Sequence, residues 1–253
     1  VTPSPLDRAL TRSRLRRDHA VVTPESHVRA TLPGWTRAAG ITLISPAMGA
    51  GFVQYLALLD ADGAAAPPAA GVERFLFVLD GEVRLTLDGG AHVLPPGAFA
   101  LLPADAPQAI GAAAPARLLV LERRYQPLPG QGPPAPLIGH ERDVPGAPFL
   151  GDPDARLQTL LPDAPAYDLA MNLFTFQPGA SLPLVEMHVM EHGLLMLAGQ
   201  GVYRLSDSWY PVQAGDALWM APFCPQWFAA IGKSPARYLY YKDANRDPLA
   251  GAP

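Results

Sequence analysis

The sequence has a single cysteine, Cys224, in 253 residues. An intramolecular disulfide is therefore excluded, and so is a Cys-rich zinc site. Charge is scarce as well: 17% of the residues are charged and the net charge is −4. The one basic cluster, residues 12–17 (RSRLRR), reads as solvated surface and does not extend into a patch. A nucleic-acid partner thus has no electrostatic support. No apolar run reaches the ~18 residues that cross a bilayer. The N-terminal segment is polar and lacks the apolar centre of a signal peptide. The expectation is a cytoplasmic protein with neither a membrane nor a nucleic-acid partner. Also missing is any amphipathic helical segment longer than about three turns.

What the chain does have is 49% hydrophobic residues, 30 prolines and 23 glycines. That hydrophobic share fits a folded globule and argues against disorder. Proline and glycine recur at short intervals and separate β-rich segments: FVQYLALL, RFLFVLDG, VRLTLDG, FALLP and RLLVLERRY. Short strands between such turns point to an all-β sandwich or barrel.

The chain also contains itself twice. Shifted by 118 positions, ERFLFVLDGEVRLTLDGGAHVLPPGAFALLPADAPQ, from Glu73, lies on EHGLLMLAGQGVYRLSDSWYPVQAGDALWMAPFCPQ, from Glu191, without a gap. Gly81 falls on Gly199, Gly97 on Gly215, and Pro107-Gln108 on Pro225-Gln226. Coincident turn residues predict two similar barrels. The expected divisions are an N-terminal arm (1–30), a first barrel (31–125), a Pro/Gly-rich linker (126–150) and a second barrel (151–253).

The halves differ most at LVEMHVMEHGLLMLAGQG, residues 184–201. Glu186 and His188 share a face if the segment is extended, and His192 has the same parity. One carboxylate and two imidazoles can then converge, with Gln226 adding an amide oxygen from a later strand. A lone carboxylate on an apolar strand would be costly. For either histidine by itself, a satisfied core imidazole is the plainer reading. The donor set suits Mn²⁺ or Fe²⁺, with Ni²⁺ and Zn²⁺ as further candidates, and manganese is preferred. In the first half the equivalents are Pro68, Ala70 and Arg74, and only Gln108 matches Gln226. A metal is therefore expected in the second barrel alone. Cys224 is read as a buried bystander.

Gly179, followed by Glu186-x-His188-x3-His192-x6-Gly199, resembles the first motif of the cupin superfamily. Gly215 to Gln226 resembles the second. That superfamily usually runs His-x-His before a glutamate. Here a glutamate takes the first position, His192 takes the usual glutamate position, and Gln226 stands for the last histidine. The permuted set, within EMHVMEHGLLMLAGQGVYRLSDSWYPVQAGDALWMAPFCPQWFAAIG and RYLYYKDANRDP, resembles the (S)-ureidoglycine aminohydrolase family, bicupins of purine (allantoin) degradation. AVVTPESHVRATLPGW (20–35) and LISPAMGAGFVQYL (43–56) share the likeness, which covers nearly the whole chain. It is weakest at DADGAAAPPAAG (60–71), expected to be a variable loop.

The resemblance implies two tandem cupin barrels of the double-stranded β-helix (jelly-roll) type. It implies a Mn²⁺ hydrolase that converts (S)-ureidoglycine and water to (S)-ureidoglycolate and ammonia. Glu186, His188, His192 and Gln226 would be the metal ligands. Tyr203, Tyr238 and Lys242 would bind the small-molecule substrate. Bicupins commonly assemble, so a homo-oligomer is expected, with residues 1–30 as its arm.

Chemistry assigns the roles. On RYLYYKD, Tyr238, Tyr240 and Lys242 share one strand face. Lys242 beside a tyrosine hydroxyl makes a credible clamp for the substrate carboxylate; the plainer reading is an edge-strand lysine at the surface, where most lysines lie. Tyr203 has simple barrel packing as its plainer reading. Glu186, Lys242 and Tyr238 are the candidate catalytic groups, and the general base is either Glu186 or a cation-bound hydroxide. Glu191 is read as structural or exposed, Trp219 and Trp227 as core or pocket wall, His92 and His140 as surface. Two other readings stay open: a non-haem metal oxygenase or isomerase of the same superfamily, and a non-catalytic cupin that binds a small molecule.

Overall fold

The computed structural model describes residues 11–247 and residue 249. The strands of the N-terminal half are β1 (Arg14–Leu15), β2 (His19–Val22), β3 (Ala30–Thr31), β4 (Trp35–Ile44), β5 (Val53–Ala65), β6 (Val72–Asp80), β7 (Val83–Leu87), β8 (Gly90–Leu94), β9 (Ala98–Leu102), β10 (Gln108–Ala112) and β11 (Ala116–Arg124). Then come β12 (Leu137–His140), β13 (Ala147–Phe149), β14 (Asp152–Thr159), β15 (Leu169–Phe176), β16 (His192–Ala198), β17 (Gln200–Leu205), β18 (Ser208–Gln213), β19 (Ala217–Met220), β20 (Gln226–Ile231) and β21 (Ala236–Asp243). Helix among the described residues is limited to three short 3₁₀ turns. No helix among them is long and apolar enough to cross a membrane.

The repeat holds strand by strand: β6 to β11 recur as β16 to β21. Gly81 and Gly199 turn the chain at equivalent places with φ of 72° and 70°. A Cβ would run into the Pro115 carbonyl oxygen at one and that of Pro235 at the other, so both turns demand glycine. In the first barrel the order is β12-β9-β6-β11-β5-β10-β7-β8, with β4 also on β5 and β3 on β4. The second barrel is built from β1-β2-β19-β16-β21-β15-β14-β13 and from β18-β17-β20.

The central strands read as near-continuous apolar runs because both their faces are buried. Leu76 and Val78 fill the first barrel, while Phe75 and Phe77 point out of it. Leu194 and Met196 fill the second, while Leu195 points out. The outward faces meet in a shared core with Phe52, Phe99, Trp219 and Tyr241. Each large aromatic there is worth about 3–5 kcal/mol against truncation to alanine.

Two segments cross the boundaries drawn from the sequence. β2, inside the expected arm, pairs with β19 of the second barrel. β12, inside the expected linker, pairs with β9 of the first. β2 and β12 are equivalents in the repeat, so each half lends the other a strand. HAVV and LIGH are too short to show an alternation that would announce a strand. The Ala-rich stretch 60–71 is likewise not all loop. β5 continues to Ala65, and Asp62, at φ 59°, sits where its pairing passes from β11 to β10. Arg12, expected to be solvated, donates through both terminal nitrogens to the buried Asp216 carboxylate at 2.8 Å each. That bidentate pair ties the arm to the second barrel.

A polar cluster interrupts the shared core. Arg123 lies 3.9 Å from Glu73 Oε1 and 3.6 Å from Asp168 Oδ2, and all three side chains are buried. Burial first, and the neighbouring Asp168 second, push the Glu73 carboxyl up to about 9. Folding therefore takes up a proton, and this contribution to stability is lost as pH rises from 4.5 towards about 9. Glu73→Gln keeps the neutral shape. It is expected to be more stable than wild type at neutral pH and to lack the decline between 4.5 and about 9, which melting curves across that window check.

Candidate active site and metal centre

β16 and β21 run side by side with His192 opposite Lys242. Tyr238, Tyr240 and Lys242 face the inside of the second barrel, and Leu239 and Tyr241 face the shared core. Lys242 is thus no edge-strand lysine, because β21 lies between β16 and β15. Gln226 opens β20 and is bridged to Glu186. The Glu186 N–H donates to the Gln226 carbonyl (2.8 Å) and the Gln226 N–H to the Glu186 carbonyl (2.9 Å).

That bridge, rather than a strand, fixes Glu186. Residues 183–191 are otherwise irregular, so the extended segment expected through Glu186 and His188 is absent. Pro183 withholds a ladder donor. Leu184, Val185 and Met187 are 52%, 41% and 63% exposed, so no sheet face takes them up. His188 is positioned instead by its carbonyl, which accepts from the Phe223 N–H at 2.8 Å.

The seven side chains nevertheless meet. Glu186, His188, His192, Tyr203, Gln226, Tyr238 and Lys242 line one cavity of about 170 Å³. His188 Nε2 and His192 Nε2 are 3.0 Å apart, and Gln226 Nε2 is 3.3 Å from His188 Nε2. The Tyr203 hydroxyl donates to Gln226 Oε1 at 3.3 Å. A half-turn of the amide exchanges its oxygen and nitrogen, so Gln226 can present either atom to the cavity. Phe149, Phe174 and Leu194 supply apolar wall.

Burial, then His188 and Lys242, push His192 down to about 3. His188 is lowered too, by burial and then by the Lys242 ammonium. Both imidazoles are neutral at physiological pH, the form that binds metals. Burial raises the Glu186 carboxyl, opposed by Lys242. Tyr203 and Tyr238 are held well above the usual phenol range, chiefly by burial, and remain donors. Two facing neutral nitrogens can share one proton at most. A divalent cation would accept both lone pairs and relieve the half-buried carboxylate, so the donor set fits a metal.

A second cavity, about 860 Å³, shares Leu157, Met190, Tyr240 and Lys242 with the small one. Leu128 and Pro129, from the expected linker, border it. Tyr240 and Lys242 therefore stand between the two spaces. Glu191 is buried, not exposed. It accepts from Trp219 Nε1 (2.7 Å) and from the Gly51 N–H of the first barrel (3.1 Å). Trp227 is partly buried and donates to the Leu182 carbonyl. Cys224 is buried and stands outside the lining of both cavities, its thiol pushed up to about 11 by burial. His92 is exposed, and His140 bonds the Pro96 carbonyl oxygen at 3.0 Å.

In the first barrel different groups stand at the equivalent places. Arg74, at the place of His192, donates to Gln108 Oε1 (3.2 Å), at the place of Gln226, and to Glu122 Oε1 (2.7 Å). A buried guanidinium stands where the second barrel gathers its donors. Aligning the halves pairs these residues, and that was the signal available in the sequence.

Residues 60–122 and 172–241 both match the Cupin domain family. Fold and site together define a protein of the cupin class with its barrel repeated in one chain. The "Probable (S)-ureidoglycine aminohydrolase" of Oryza sativa subsp. japonica is 48% identical over 242 residues, 94% of this chain and 77% of that protein. The "(S)-ureidoglycine aminohydrolase" of Arabidopsis thaliana is 46% identical over 242 residues, 94% of this chain and 80% of that one. The crystal structure of protein Ylba from E. coli matches with a TM-score of 0.84 at 29% identity, covering 97% of this chain and 99% of that one. The chain belongs to the (S)-ureidoglycine aminohydrolase family.

Proposed function

We infer that the chain is a metal-dependent hydrolase that releases ammonia from (S)-ureidoglycine to give (S)-ureidoglycolate, a step of allantoin degradation. The observation that carries this reading is the convergence of Glu186, His188, His192 and Gln226 on one small cavity beside Lys242. Those four residues would hold the cation. Manganese is preferred for a sulfur-free nitrogen and oxygen set, with Fe²⁺, Ni²⁺ and Zn²⁺ as competitors. Bound there, the cation supplies Lewis acidity and a template for the substrate.

The chain's own groups do the rest. Ureidoglycine carries an amine, a ureido group and a carboxylate on one carbon. Lys242 pairs with the carboxylate through charge-assisted hydrogen bonds. Tyr203 and Tyr238 are kept protonated by burial; Tyr238 would donate to the substrate, while Tyr203 holds the Gln226 amide. Glu186, its proton affinity raised, takes a proton from the attacking water and passes one to the departing amine, which leaves as ammonia. The apolar wall leaves one face of the carbon open to water, which gives a single hydroxyl stereochemistry. The oxygenase, isomerase and non-catalytic readings have no comparable support, because the relatives at 48% and 46% identity are named as (S)-ureidoglycine aminohydrolases. A homo-oligomeric assembly and a cytoplasmic location complete the proposal.

Lys242→Ala tests the clamp. It is expected to retain bound metal and to lower kcat/KM about tenfold to a hundredfold, mostly through KM, as loss of a charged hydrogen bond does. An unchanged KM in an ammonia-release assay would remove Lys242 from that role.

A further inference from the structure

We propose that a second cation site lies where the N-terminal arm meets the second barrel, formed by Asp18, His19 and Cys224 and taking Zn²⁺ or another thiophilic divalent ion. One ligand atom from each residue lies within 4.8 Å of the other two. The three come from distant parts of the chain. Asp18 and His19 lead the arm into β2, which adds to β19, and Cys224 sits in the turn before β20. Backbone bonds set the meeting: the Ala221 N–H donates to the Asp18 carbonyl (2.9 Å) and the Cys224 N–H to the Ala221 carbonyl (3.1 Å). His19 and Cys224 are buried, 1% and 4% exposed, while Asp18 keeps one side towards solvent. That leaves an entry path and room for a water as fourth ligand.

The histidine is oriented for ligation. His19 Nδ1 lies 2.8 Å from Asp18 Oδ1, and Nε2 lies 2.8 Å from the Tyr210 hydroxyl. With Nε2–H donating to that hydroxyl, the Nδ1 lone pair faces the cluster, and a partner on the outer nitrogen is the usual companion of a metal-binding histidine. Sulfur, nitrogen and oxygen donors together favour Zn²⁺ or Co²⁺ over Mn²⁺. The active-site set contains no sulfur. The two sites thus sort cations by softness, and occupancy of the second pins the arm to the turn that carries Gln226. The competing arrangement is a hydrogen-bonded Asp18–His19–Tyr210 chain beside an uninvolved thiol.

Cobalt separates the two, because cobalt–thiolate ligation gives a near-ultraviolet charge-transfer band that nitrogen and oxygen ligands do not. Metal-free protein is titrated with Co²⁺. The expected result is a thiolate band that saturates within two equivalents, with the active-site set taking up the other Co²⁺, and that is retained in His188→Ala, lost in Cys224→Ala and weakened in Asp18→Asn. No band in the folded wild-type chain, or a band that survives Cys224→Ala, overturns the proposal. The wild-type titration decides by itself even where a variant fails to fold.

Discussion

His192→Ala is expected to empty the metal site and to lower kcat/KM for ureidoglycine at least about a thousandfold, the equivalent of several kcal/mol of lost cation stabilisation. The effect should be chemical rather than structural. β16 is paired through its backbone to β19 on one side and β21 on the other, and alanine leaves both ladders intact. What disappears is one of two neutral nitrogens that face each other at 3.0 Å. The remaining donors leave the Glu186 carboxyl with Lys242 as its main opposing charge. Manganese content and ammonia release, measured on a variant with unaltered circular dichroism, check this. Retained manganese with retained activity would take His192 out of the ligand set.

The second large effect is expected in the barrel without a metal set. Arg74→Ala should destabilise the fold by about 3 kcal/mol, near the lower end for one partner removed from a buried ion pair. Its side chain is 3% exposed and that of Glu122 22%, so water relieves part of the cost. The guanidinium holds Glu122 and Gln108 and lies 5.5 Å from the centre of the Trp35 ring. Without it, the Glu122 carboxylate keeps only the Tyr55 hydroxyl (3.1 Å), and the Gln108 amide oxygen loses its donor. Denaturant unfolding measures the loss. A midpoint equal to wild type would mean that the first barrel does not depend on a resident cation.

The sequence was legible where local pattern and tertiary demand coincide. Turn glycines such as Gly81 and Gly199 recur because backbone approach forces them, so the repeat and the two barrels could be read directly. Glu186, His188, His192 and Gln226 could be read because polar donors are scarce in that apolar stretch. Strand parity named side chains that do meet, but the means differs: a single bridge to Gln226 places Glu186, and no local pattern encodes a bridge to a residue so distant. Three further features depend on long-range pairing and left no local trace. They are the exchanged β2 and β12, the Arg12–Asp216 pair, and the meeting of Asp18 and His19 with Cys224. β5 was cut short for another reason, since alanines carry no strand pattern and only pairing with β4 and β10 keeps them extended.

The most direct measurement is chiral analysis of the product formed when freshly generated (S)-ureidoglycine meets the manganese-loaded protein. Ammonia should appear well above the spontaneous rate, with (S)-ureidoglycolate as the only enantiomer. Racemic product at the spontaneous rate, from protein with its metal bound, would contradict the assignment of this cavity as the site of deamination.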